Sequence, residues 1–163
     1  MKADRQTMNR AIYDIVSQIV DPELPFLTIE ELGILREVRC DCAKITVTIA
    51  PTYLACPATD VIEEEIIGKL KNEASSEINV VRQFKPAWTT DWITKVGRDK
   101  MLAFGISPPE SVQNSKCAPV SVAACPRCGS RENDSLSDIS STLCKSLFKC
   151  RDCMEVFEHF KCL

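Results

Sequence analysis

Two cysteine pairs in the last quarter of the chain restrict its fold more than any other feature. Cys125-Pro-Arg-Cys128 and Cys150-Arg-Asp-Cys153 each hold two residues between their cysteines, and 21 residues separate the pairs. A C-x-x-C turn presents two sulfurs to one side, and a hairpin of that length brings two such turns together, so the pattern predicts a tetrahedral four-thiolate metal site. Zinc is the expected ion, with iron in a rubredoxin-type site or a cluster as the alternative. Gly129 suits the first knuckle, because a glycine after the second cysteine lets the backbone fold back and donate to sulfur. The second knuckle has Met154 there.

The module from 125 to 163 spans 39 residues, too few to hold together by apolar burial alone, so the ion has a structural task. Leu143 to Lys149 and Glu155 to Leu163 read as strands, with Phe148, Phe157 and Phe160 able to cover the site. Cys144 and Cys162 lack pair spacing and are expected to pack. His159, the single histidine, is expected to pack or face solvent, since four cysteines already complete a tetrahedral shell.

Ten cysteines in a chain with no apolar run of 18 residues, and with no apolar stretch after the N-terminal MKADRQTMNR, point to metal or reactive thiols in the cytoplasm and not to a disulfide framework or a membrane protein. Six of the twenty Lys and Arg and six of the twenty-three Asp and Glu fall in 125–163, which makes the module neutral. Neutrality argues against a nucleic-acid reader, which would need a basic surface. A catalytic oxygenase would need histidine and carboxylate ligands that one histidine cannot supply. Trp88 and Trp92 are expected as core anchors.

The first part of the chain alternates helical and extended patterns. Ile12, Ile15, Val16, Ile19 and Val20 recur at helical spacing until Asp21-Pro22. Thr28 and Glu31 stand at capping-box spacing before a turn that ends at Gly33. Ile34 to Cys40 and Lys44 to Ala50 read as strands joined by Asp41-Cys42-Ala43. A helix with Val61, Ile62, Ile66 and Leu70 inward follows, then a strand near 78–84 and a helix from about Thr90 that buries Trp92, Val96 and Phe104. This order predicts a two-layer α/β domain over 1–106. A Pro- and Ser-rich linker over 107–124 joins it to the zinc ribbon at 125–163.

Cys56, followed by Pro57, stands at the expected N-cap of the second helix, where free N–H groups and the helix dipole favour a thiolate. Thr52 lies in the same turn. Space-filling by Cys56 is the competing reading. Asp21 and Glu23 flank Pro22 and read first as a helix stop with a local cap, second as a polar or metal-binding element.

Asp21-Pro22-Glu23, Pro51-Thr52-Tyr53, Cys56-Pro57-Ala58-Thr59, PAWTTDWIT at 86–94, GISPP at 105–109, CPRC and STLCKSLFKCRDC together resemble the PaaD-like family of phenylacetate degradation, over about Ile12 to Leu163. The first domain also resembles the wider family of iron–sulfur assembly factors that includes SufT. That resemblance implies a functional thiol at Cys56, with Asp21, Glu23 and Thr52 in the family motif. It implies a non-catalytic accessory of the multicomponent phenylacetyl-CoA 1,2-epoxidase, handling iron or a transient iron–sulfur cluster. Its partners would then be an oxygenase subunit and an iron–sulfur flavoprotein reductase; assembly as a homodimer stays open. The chain departs from the family at Ala55, Ser140 and Glu155-Val156-Phe157, none of which removes a thiol.

Overall fold

The computed structural model describes residues 2–41, 43–54, 56–73, 76–110 and 123–161. The expected turn residue Cys42, the departure at Ala55, most of the expected linker and Cys162 lie outside them. Two compact units result, Met1–Trp88 and Thr89–Leu163.

In the first unit, α1 (Lys2–Ser17) and α2 (Ala58–Glu73) pack on a sheet of β1 (Leu35–Cys40), β2 (Lys44–Ile49) and β3 (Glu77–Arg82), in the order β1-β2-β3. β1 and β2 form an antiparallel pair, whereas α2 carries the chain over so that β3 lies parallel to β2. Alternation decides the faces: Ile45, Val47 and Ile49 are buried, while Lys44, Thr46 and Thr48 between them are half-buried. Ile62, Ile66 and Leu70 supply the buried stripe of α2, and Ile12 and Val16 that of α1. Val61, expected inward, is instead 49% exposed, because it lies one step off the i, i+4, i+8 row of Ile62.

α1 ends at Ser17, earlier than the apolar spacing suggested; Ile19 stays buried, and Val20 forms a bridge with Thr28. The capping box is present in both directions, with Thr28 N–H donating to Glu31 Oε2 (3.0 Å) and Glu31 N–H to Thr28 Oγ1 (3.1 Å). Gly33 closes that turn at φ 70°, where a side chain would be strained. Trp88 is the anchor expected of it, buried with its indole N–H donating to the Leu32 carbonyl at 3.0 Å.

The second unit opens with a 3-10 turn (Thr90–Trp92) and α3 (Lys95–Ala103), capped by Thr94 Oγ1 accepting from Gly97 N–H. Because α3 starts after this separate turn, its phase differs from a single helix begun at Thr90. Ile93, Gly97 and Met101 are buried; Val96 and Phe104, expected inward, are 56% and 63% exposed, and Trp92 is half-buried. The Arg98 guanidinium donates to the carbonyls of Thr90 and Pro109, tying the turn to the segment that follows α3.

A four-stranded sheet completes this unit: β4 (Ile106–Ser107), β5 (Asn133–Ser137), β6 (Lys145–Cys150) and β7 (Val156–Phe160), ordered β4-β7-β6-β5. β4 pairs in parallel with β7, and the other pairs are antiparallel. Ser107, where the linker was expected to begin, is therefore a buried strand residue of this second sheet.

Candidate metal centre and the Cys56 turn

The two C-x-x-C turns lie at the end of the ribbon where β6 finishes and β7 begins. In the first, Cys125 N–H donates to Ser130 O and Gly129 N–H to Cys125 O, both at 2.8 Å; in the second, Cys150 N–H donates to Glu155 O at 2.8 Å. Each fold-back needs a left-handed residue after the second cysteine, Gly129 at φ 77° and Met154 at φ 63°. Met154 performs the task of Gly129 against its own Cβ.

These turns bring the Sγ atoms of Cys125, Cys128, Cys150 and Cys153 within 4.8 Å of one another. Cys125 and Cys153 are 3.6 Å apart across the knuckles, as are Cys128 and Cys150. Four sulfurs about 2.3 Å from a central ion at tetrahedral angles would stand about 3.8 Å apart, so this donor set fits zinc or tetrahedral iron without rearrangement. Backbone donors support the sulfurs. N–H groups of Cys153 and Asp152, aided by neighbouring thiols and opposed by burial, hold Cys150 down at about 7. Ser130 N–H favours the Cys128 thiolate, but the Cys153, Cys150 and Cys125 sulfurs together with burial outweigh it and push Cys128 up to about 12. Thiols this close resist joint ionisation, and a divalent cation at the centre is the species that relieves them.

The inner side of the site is closed by apolar packing. Ala123, Cys125, Phe148, Cys150 and Phe157 form one buried cluster with Cys153 against it, and Phe148 stacks on Phe157 with centroids 6.0 Å apart. Phe160 is buried as well. Across the outer side Arg127 Nη1 meets Glu155 Oε2 at 2.5 Å, an ion pair joining the knuckles that the spacing of the cysteines did not announce. Cys128 is the exposed member of the four.

Cys144 is buried with Sγ 3.0 Å from Thr142 Oγ1, which fits the packing role expected of it. His159 is buried too, Nδ1 standing 3.2 Å from Ser107 Oγ and the ring edge-on to Phe148. Next to it, the Glu158 carboxylate gathers Lys145 Nζ (2.8 Å), Ser140 Oγ (2.6 Å), and the backbone N–H and hydroxyl of Ser141 (3.2 and 2.7 Å). This network takes up Ser141 and Lys145 of the STLCK run.

In the first unit Cys56 is half-buried just ahead of α2, its N–H donating to Tyr53 O (3.2 Å) and its carbonyl accepting from Thr59 N–H (3.1 Å). That bond closes a turn of the i to i+3 kind, and α2 begins at Ala58 and not at the expected Pro57, so Cys56 lies in the turn that leads into the helix. Thr52 is half-buried in the preceding turn. Asp21 is buried, and its Oδ1 accepts from the N–H groups of Glu23 and Leu24, each at 2.9 Å: the local cap is present. Among the described residues, the four ribbon cysteines are the only set of three or more His, Cys, Asp or Glu side chains within ligand reach of one another, so Cys56, Asp21 and Glu23 are not brought into such a set.

Comparison with known proteins agrees with this division. Residues 9–81 match a family model described as iron-sulfur cluster assembly protein, and residues 109–161 match one described as PaaD zinc beta ribbon domain. The chain is 40% identical over 152 residues, 93% of its length and 92% of the relative's, to an Escherichia coli (strain K12) protein provisionally named as a component of 1,2-phenylacetyl-CoA epoxidase. A crystal structure of a domain of unknown function, DUF59, from Bacillus anthracis superposes with a TM-score of 0.58 over 62% of this chain and 97% of that one. At 20% identity that likeness establishes the fold. Among the described residues no helix is long and apolar enough to cross a membrane.

Proposed function

The chain belongs to the PaaD-like family, and from that premise we propose that it is a non-catalytic accessory of a phenylacetyl-CoA 1,2-epoxidase system, acting in the maturation of an iron or iron–sulfur centre of that complex. The observation that carries this reading is the placement of Cys56: a half-buried thiol at the mouth of α2 in a domain of the assembly-protein family. Cys56 is partly open to solvent there. It can take an iron or a cluster as one ligand among several and give it up, since among the described residues no second and third protein donor stand with it.

Asp21 contributes differently. With its carboxylate spent on two backbone N–H groups, it fixes the turn after α1 and is a positioning residue. Glu23 follows on that turn, and Thr52 stands in the loop before Cys56. The ribbon holds zinc through Cys125, Cys128, Cys150 and Cys153; when bound, the ion supplies cross-linking of the two knuckles. The client would be the oxygenase subunit or the iron–sulfur flavoprotein reductase.

The test is Cys56→Ala in a reconstituted epoxidase. The variant should stay folded and keep its ribbon metal while epoxidase activation and cluster content of the client fall at least tenfold. Undiminished activation would remove the role given to the thiol.

A further inference from the structure

The four sulfurs of the ribbon are not equivalent. Cys125 and Cys150 belong to the buried cluster under Phe148 and Phe157, and Cys153 packs against it, whereas Cys128 is exposed and outside it. A small oxidant arriving from solvent therefore meets Cys128 first. With the Cys125 and Cys153 sulfurs within 4.8 Å, Cys128 contacts the Cys150 sulfur of the other knuckle at 3.6 Å. From there the two sulfurs need to close by only about 1.5 Å to reach disulfide length.

Resting on the reading of these cysteines as a metal site, we propose that the ribbon is a peroxide-sensitive metal-release switch in which Cys128 is the site of oxidation and Cys150 the resolving thiol. The Cys128 sulfur attacks one peroxide oxygen, breaking the O–O bond; Cys128 becomes a sulfenic acid and the leaving hydroxide takes a proton to become water. The Cys150 sulfur then attacks the Cys128 sulfur, the S–O bond breaks, and the second hydroxide leaves as water. Two thiolates lose two electrons in all, and one peroxide with two protons becomes two waters. The ion loses one ligand from each knuckle at once and leaves. Cys125 and Cys153, themselves 3.6 Å apart, can form the second crosslink with a second peroxide.

Cross-knuckle pairing matters for the consequence. A disulfide within one pair would leave the other knuckle free to swing away, whereas Cys128–Cys150 keeps the turns together, ready to take the ion back after reduction.

The chain itself makes the pairing readable. Cleavage after Arg127, Arg131, Lys149 and Arg151 places Cys128, Cys150 and Cys153 on three separate peptides. Full-length protein, assayed first for bound zinc, is titrated with hydrogen peroxide while metal release is followed with a chromophoric chelator, and aliquots are alkylated, digested and mapped by mass spectrometry. The expected result is a first disulfide joining the Cys128 and Cys150 peptides, one metal released per such disulfide, and recovery of both thiols and metal on adding a dithiol with zinc. A first disulfide between Cys125 and Cys128, over-oxidation of Cys128 without a crosslink, or metal retained after Cys128–Cys150 forms would each overturn the proposal. Protein that carries no metal as isolated would refute the metal reading by itself, and the disulfide map would still decide the pairing.

Discussion

Gly129 and Met154 hold the same place in the two knuckles and the same left-handed backbone, at φ 77° and 63°. One pays nothing in sterics for it; the other carries a side chain that is 59% exposed and packs little in return. Left-handed backbone costs a residue with a Cβ about 1–2 kcal/mol, of which the greater unfolded-state freedom of glycine returns part. Met154→Gly should therefore stabilise the metal-bound protein by about 1 kcal/mol. Gly129→Ala, with nothing within 4 Å of the added Cβ, should destabilise it by a similar amount through backbone strain alone. Denaturant melts of both variants check the pair of signs; a destabilised Met154→Gly would contradict the account.

Metal removal should separate the units. The ribbon's buried cluster is small and built around two of the ligands themselves, while Met1–Trp88 has its own core in Ile12, Val16, Val47, Ile49, Ile66 and Leu70. Chelation under reducing conditions is expected to abolish amide protection in β5, β6 and β7 and to leave it in β2 and α2. Hydrogen exchange read by mass spectrometry measures both at once.

Lys145 and Glu158 form an ion pair with side chains only 5% and 23% exposed. Burial alone would raise the Glu158 carboxyl, but hydrogen bonds from Lys145, Ser140 and Ser141 outweigh it and hold it down at about 2. The folded value lies below the unfolded one, so the contribution is complete above about pH 4.5 and is lost as pH falls from there toward 2. Lys145→Met strands the carboxylate and should cost about 3 kcal/mol at neutral pH. Melting temperature against pH for both proteins tests it, the variant showing a flatter acid limb.

His159 works in a higher pH window. Burial, partly offset by Ser107 and the charge of Glu110, lowers its folded value below 6.5, so the folded protein binds fewer protons than the unfolded chain just below that pH. Stability should decline as pH falls from about 6.5. In His159→Gln, which keeps a polar contact for Ser107, that portion of the decline should vanish while the lower limb at Glu158 persists.

Legibility in the sequence followed the range of the forces involved. The four cysteines, the Thr28–Glu31 box and most of the α2 stripe are local patterns, and each is where its spacing puts it. β5, in contrast, reads NDSLS, with no apolar alternation, and is a strand because β6 offers it a ladder. β4 is two residues long and owes its existence to β7. The buried face of α3 departs from the expected one because Thr94, a modest cap, resets the phase that Trp92 and Val96 suggest. Met154 is the backbone irregularity that laying CPRCG over CRDCM exposes, since the second motif lacks the glycine its turn calls for.

The parallel pairing of Ile106–Ser107 with Glu158–His159 also bears on how the polypeptide is made. About fifty residues of loop must close before β4 finds its neighbour. On the ribosome β4 has no seat until β7 has been made, so a nascent chain stalled before β7 presents an orphan edge.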